Sequence, residues 1–146
     1  MDLYSAMGFF HLVFAGVWAG SVVFVAWGVL PAVANGSISS GSLRMISRRI
    51  VFLSRLSAVV LLVSGGLMAG RYGGAIASTT PGYLVLLMTV LWLLLIGFVE
   101  MAGRTLSEQL EAGNVTKAVT ASRGRFRAAG IVALLLLVDA GLLSVV

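Results

Sequence analysis

Residues 7–34, MGFFHLVFAGVWAGSVVFVAWGVLPAVA, decide how the rest of the chain is read. The stretch holds no Lys, Arg, Asp or Glu. It exceeds the roughly 20 apolar residues that carry a helix across a bilayer. His11, the single histidine of the protein, lies inside it. An ionisable ring within a membrane span is expensive to keep there and marks a candidate functional site whose partner has to be found.

Composition sets the class. Of 146 residues, 60% are hydrophobic and only 10% charged, against about 25% charged in a soluble domain. The chain reads as an all-α integral membrane protein with a single domain. The net charge is +5, but the basic residues fall between apolar segments. Such placement sets topology and meets anionic headgroups, and it excludes a nucleic-acid surface. With no cysteine, disulfides and thiolate metal sites are excluded. Met1-Asp2-Leu3-Tyr4 lacks a positive n-region and the first apolar run is too long for a signal peptide, so that run is expected to remain as span one.

Working outward, four spans emerge at about 4–34, 44–70, 82–102 and 128–146. The linker Asn35-Gly36-Ser37 to Ser42 is loop chemistry, as is Arg71-Tyr72-Gly73-Gly74 to Thr80-Pro81-Gly82. Pro81 suits the first turn of a helix. Span three is expected to continue in polar form until Gly113-Asn114, so that residues 103–127 make a helical extension. Nine of the ten Lys and Arg residues lie in the first linker with the start of span two, or in the third linker; Arg71 is the exception. This asymmetry predicts an antiparallel four-transmembrane-helix bundle in the plasma membrane, with both termini outside and linkers 35–49 and 103–127 cytoplasmic.

At a rise of about 1.5 Å per residue, His11, Met88 and Asp139 share a depth near the outer surface, with Ser64, Gly65, Gly66 and Met68 at a similar level. On span one, Met7, Gly8, Ala15, Trp18 and Ala19 fall on the His11 side, and the small residues there, with Gly16 and Gly20 beside them, predict close helix packing within the chain. Phe9, Phe10, Phe14, Val17 and Phe24 take much of the opposite side. A histidine so placed either holds a ligand or only bonds a neighbouring carbonyl. Asp139 either fixes its tautomer, as carboxylates do for metal-bound imidazoles, or reaches the outer surface. Arg55 and Glu100 match in depth nearer the inner side and are expected to form a structural ion pair. No signature for phosphate binding or nucleophilic catalysis is present.

Phe10-His11-Leu12 followed by Val17-Trp18-Ala19-Gly20-Ser21-Val22-Val23-Phe24 resembles the first helix of a four-helix membrane superfamily. That superfamily includes copper resistance protein D-like proteins and the haem-binding membrane protoporphyrinogen oxidases. Arg48-Arg49-Ile50-Val51 through Ser64-Gly65-Gly66-Leu67 resembles their second helix, and Pro81-Gly82-Tyr83 through Leu93 their third. The resemblance implies a b-type haem with His11 as an axial ligand, serving electron transfer or haem-linked redox chemistry, with Trp18, Phe14 and Tyr83 around it. The relatives' lysine early in helix three is replaced here, by Met88 on this alignment, which speaks against protoporphyrinogen oxidation. A methionine suits a low-spin haem as second ligand. His11 with Met7, Met68 and Met88 would equally suit Cu(I), which favours imidazole and thioether donors, in a copper-handling protein. The third expectation is a non-catalytic membrane subunit packed against a partner protein. Partners implied are the lipid bilayer, a redox protein, or a second copy, since one histidine permits bis-histidine ligation only across a dimer.

Overall fold

The computed structural model describes residues 3–145. Met1 and Asp2, and Val146, at which the sequence reading ends span four, lie outside the described residues. Four helices are long and apolar enough to cross a membrane: α1 (Leu3–Ala34), α2 (Ser40–Ala69, running on through 3-10 turns at Gly70–Ala77), α3 (Thr80–Glu111) and α4 (Val115–Leu143). No strand occurs among the described residues.

Local chemistry explains the helix ends. Ser39 stands in extended conformation before α2 and its hydroxyl accepts the Ser42 amide at 3.2 Å, covering one of the amides that lack a partner in a first turn. Thr79 does the same for Gly82 before α3, with Pro81 in the first turn. Gly36 and Gly113 adopt φ values of 76° and 77°, the left-handed conformation that glycine adopts without a Cβ penalty and that stops a helix. Arg44 adds a side-chain donor at the end of α3, its Nη2 lying 3.1 Å from the Leu110 carbonyl oxygen. Arg71–Ala77, expected to be loop, instead winds as 3-10 turns kinked at Gly73. Gly82 then takes the chain into α3 so close to the Ile76 carbonyl that a Cβ would sit 2.2 Å from its oxygen.

Within α1, residues Val25–Val29 widen into a π turn. Pro31 follows after Leu30. Its ring would meet the carbonyl four residues back and it has no amide to give, so a wider turn relieves the clash.

α1 packs against α2 and α4, and α3 packs against the same two, so α1 and α3 stand across the bundle from one another. The core gathers Trp18, Val22 and Leu30 of α1, Leu43 of α2, Leu95, Val99 and Leu106 of α3, and Phe126 of α4, each under 2% exposed. Small residues set the closest approaches. A Cβ on Gly103 would lie 2.4 Å from Val51 Cγ2, and one on Gly130 would lie 2.2 Å from the Trp27 ring, the pattern expected where helices associate by packing. Gly16 and Gly20 do not take part: a Cβ on either meets nothing within 4 Å. That corrects the expected packing of this pair within the chain. A helix covers only an arc of its neighbour, and the covered arc of α1 passes through Ala15, Trp18 and Ala19 instead. Phe9, Phe10, Val17 and Phe24 are exposed, whereas Phe14 packs on the core.

Candidate functional site

The four helices do not close at the end that carries Tyr4, Arg71 and Ser144. A cavity of about 730 Å³ opens there between them, within the roughly 300–1,000 Å³ range of ligand sites. Each helix contributes one face. On α1 it is Tyr4, Gly8, His11, Ala15 and Trp18; on α2 Leu61, Gly65, Gly66 and Met68, with Arg71 and Tyr72 beyond its end. On α3 it is Val85, Met88, Thr89, Trp92 and Leu95, and on α4 Leu136, Leu137, Ala140 and Leu143. The spacings of three, four and seven residues are those of single helical faces.

His11 is the titratable group deepest in this cavity, and its proton can be placed. Its Nδ1 lies 2.9 Å from Ser64 Oγ. Ser64 has one hydroxyl proton, and that proton is directed at the Val60 carbonyl, 2.6 Å away. The serine oxygen therefore accepts, so the histidine Nδ1 must donate. In the neutral ring this leaves the lone pair on Nε2, which has no hydrogen-bond partner among the described residues. The imidazole comes close to α2 because residue 65 is glycine: a Cβ there would stand 2.9 Å from His11 Cε1. Ser64 and Gly65, adjacent in sequence, hold one edge of the ring and make space for it.

Two helical turns further in, the buried Trp18 closes the floor. Its indole Nε1–H donates to Ser54 Oγ at 2.9 Å. The buried face of α2 thus carries a line of serines at Ser47, Ser54, Ser57 and Ser64, of which Ser47 and Ser57 have no partner among the described residues. Trp92, on the opposite wall, has a buried indole N–H without an acceptor. Buried donors normally find one.

Of the residues singled out from the sequence, His11, Trp18, Met68 and Met88 line the cavity. Met7, Tyr83 and Asp139 do not. At 100° per residue, Met7 falls beyond the edge of the α1 arc and is half-buried in the flank. Tyr83 lies two residues from Val85, which turns it away from the α3 face, and it is 57% exposed. Asp139 sits beside the α4 face, buried, with both carboxylate oxygens unpartnered among the described residues. The group on His11 Nδ1 is Ser64, so the expected aspartate–histidine bond is not made; Ser64 occupies the one nitrogen that carries a proton. Away from the cavity, Arg55 Nε and Nη2 donate to the two Glu100 oxygens at 2.7 and 2.8 Å. This bidentate pair lies on an outward face, its side chains 65% and 35% exposed.

Sequence reasoning assigned Arg71 to topology alone and gave Tyr4, Thr89 and Trp92 no role. A signal for two of them existed. Tyr4, His11 and Trp18 recur every seven residues on α1, and Ser57, Ser64 and Arg71 do so on the α2 side. Two matched heptads on sequential helices mark facing stripes.

No three His, Cys, Asp or Glu side chains converge among the described residues. Comparison with known protein families, curated proteins and solved structures gave no match.

Proposed function

We propose that this protein is a small plasma-membrane haem protein, in which the cavity holds a b-type haem near the outer face and His11 Nε2 ligates the iron. The observation that carries the reading is the fixed tautomer of His11: a free Nε2 lone pair within a 730 Å³ cavity formed by all four helices. The residues fit such a group. Gly8, Ala15, Gly65 and Gly66 leave room for a flat macrocycle, the walls are mostly aliphatic and aromatic, and Met88 stands on the helix across the bundle from His11. A bound haem would supply one-electron redox chemistry at its iron. The chain's own part is to present the imidazole, hold its tautomer through Ser64, offer the Met88 thioether as a second donor, and keep water out below Trp18. Histidine ligands held in this way through the other ring nitrogen are oriented and made more basic.

The reading includes a topology: an antiparallel bundle with both termini outside and linkers 35–49 and 103–127 in the cytoplasm. Supporting it are the contacts Tyr4–Arg71, His11–Ser64 and Trp18–Ser54, which advance along α1 while receding along α2. The nine-to-one distribution of basic residues supports the orientation. The cavity then opens outward, towards a redox partner outside the cytoplasm. Electron transfer rather than protoporphyrinogen oxidation is favoured because a methionine stands at the helix-three position, and no lysine lines the cavity among the described residues.

Purified protein is expected to show a Soret band that shifts on reduction, and His11→Ala to abolish it while the protein stays folded. A wild-type protein that takes up no haem, or a band that His11→Ala leaves unchanged, would overturn the reading. Copper binding is the second reading, favoured by Met68 and Met88 on the same cavity as His11. The cavity is far larger than one ion with its first ligands requires, which is why haem is preferred. Stoichiometric copper without haem in the purified protein would reverse that order.

A further inference from the structure

We infer that Arg71, stacked on Tyr4 at the cavity mouth, is the seat for the anionic end of the cavity's ligand; on the haem reading, it receives the carboxylates of the macrocycle. This inference rests on that reading and adds to it the direction in which the ligand is held.

Three observations carry it. First, Arg71 is the only Lys, Arg, Asp or Glu among the described residues that line the cavity. A mostly apolar chamber whose described lining holds one fixed positive charge and no carboxylate selects a ligand that is apolar along its body and anionic at one end. Second, the Arg71 guanidinium lies 3.9 Å above the Tyr4 ring centroid and forms no ion pair among the described residues. A cation over an aromatic ring is held there by the ring's electron density. No acceptor among the described residues takes the Arg71 N–H donors, whose fork matches a carboxylate bidentately. Third, the spacing fits. Tyr4 precedes His11 by seven residues on α1, and Arg71 follows Ser64 by seven on the α2 side. Two turns of helix separate the pairs, or about 10 Å. Both helices therefore give the same offset between the imidazole and the guanidinium. It is of the order of the distance from a porphyrin's centre to the ends of its propionates. Between the two contacts lie Gly8, Gly66 and Met68, which leave the cleft open from one to the other.

The neighbouring polar groups suit the same end. The Tyr72 side chain and Ser144 share the mouth with Arg71, so the hydrophilic lining collects there while Trp18, Leu61 and Leu95 form the deep end. A ligand entering with its charged groups last would bring its apolar body to His11 and leave its anions at the surface, where desolvation costs least.

The test is a pair of titrations on the purified full-length protein in zwitterionic nanodiscs, following the Soret band with haem b and with its dimethyl ester. Esterification removes the two negative charges and keeps the macrocycle and iron. Wild type is expected to bind the free acid roughly tenfold or more tightly than the ester, as for one charge-assisted contact. Arg71→Gln is expected to bring the two affinities together by weakening the acid alone, and Arg71→Lys to restore part of the preference. Equal binding of both porphyrins by wild type, or an unchanged preference in Arg71→Gln, would overturn the inference and leave the haem reading standing. Failure of both porphyrins to give a Soret shift would overturn the haem reading, and this inference with it. Repeating the titration with anionic lipid in the discs separates the sources of negative charge. A preference that persists supports the ligand as the partner of Arg71, and one that disappears assigns Arg71 to lipid headgroups and overturns the inference.

Discussion

The two halves of this bundle use the same four helices to opposite ends. In the half that contains Phe126, side chains fill the space between helices: Val22, Leu30, Leu43, Val99, Leu106 and Phe126 are all under 2% exposed. In the half that contains Arg71, buried residues thin out. None on α1 precedes Trp18 and none on α2 follows Ser64; on α3 only Gly82 precedes Leu91, and on α4 only Asp139 follows Ala133. Small residues contribute to the difference: Gly8, Ala15, Gly65, Gly66 and Ala140 lie on the facing arcs of the open half, beside larger side chains such as Leu61, Met88, Trp92 and Leu136. Helices held together at one end can stand apart at the other, and a chamber results between them.

Substitutions can break this contrast from either side. The largest stability loss is expected in the closed half. Phe126→Ala removes a fully buried ring and should cost about 3–5 kcal/mol, measured as the shift in the unfolding midpoint of the detergent-solubilised protein. A loss below about 1 kcal/mol would mean that this half is not close-packed. Next comes the support of His11. Ser64→Ala removes the only acceptor for Nδ1–H and should weaken haem binding by about 10–100-fold, the usual range for a partner behind a metal-ligating histidine. Soret titration reads this directly, and an unchanged affinity would detach Ser64 from the site. Gly65→Ala should act in the same direction, because its Cβ would push the ring from its place.

Truncation on the open side should matter much less for the empty protein. Met88→Ala widens a space that already exists, so its cost without ligand should stay below about 1 kcal/mol, well under that of Phe126→Ala. A comparable loss in both would erase the distinction between the halves. Smallest of all is Gly16→Ala. The added Cβ meets nothing within 4 Å, and alanine is the better helix former by about 0.5–1 kcal/mol. A slight gain in thermal midpoint is expected; a clear loss, together with a change in oligomeric mass, would show that a second copy packs on this face.

Several features were open to reading before any coordinates. Four long apolar runs dictate four helices, since lipid offers no partner for a free backbone amide and a helix satisfies its own. Asn35-Gly36 and Gly113-Asn114 carry the glycines that turn left-handed at helix ends. The facing arc of α1 could be read from its small residues, yet the same arithmetic placed Gly16 and Gly20 beside it as packing positions, where the structure leaves them uncovered. Small size permits an approach between helices but does not say from which direction a neighbour comes. The single histidine drew attention to the right neighbourhood. Its partner was sought among charges, and Asp139 was the nearest in depth, but depth fixes only one coordinate of three.

What the sequence determined alone is therefore one-dimensional: span count, class, the bias of basic charge, and the register of residues along each helix. Those properties follow from the lipid solvent and from the 3.6-residue repeat, which need no neighbour. The tertiary structure decided everything that depends on two helices at once. It brought Ser64 and Gly65 against His11, and so settled which imidazole nitrogen is free. It laid Arg71 on Tyr4, and it left a chamber where one face of each of the four helices meets the others. An empty space belongs to no single segment, because it is defined by the distance between walls, and that distance is set by the packing of the opposite half.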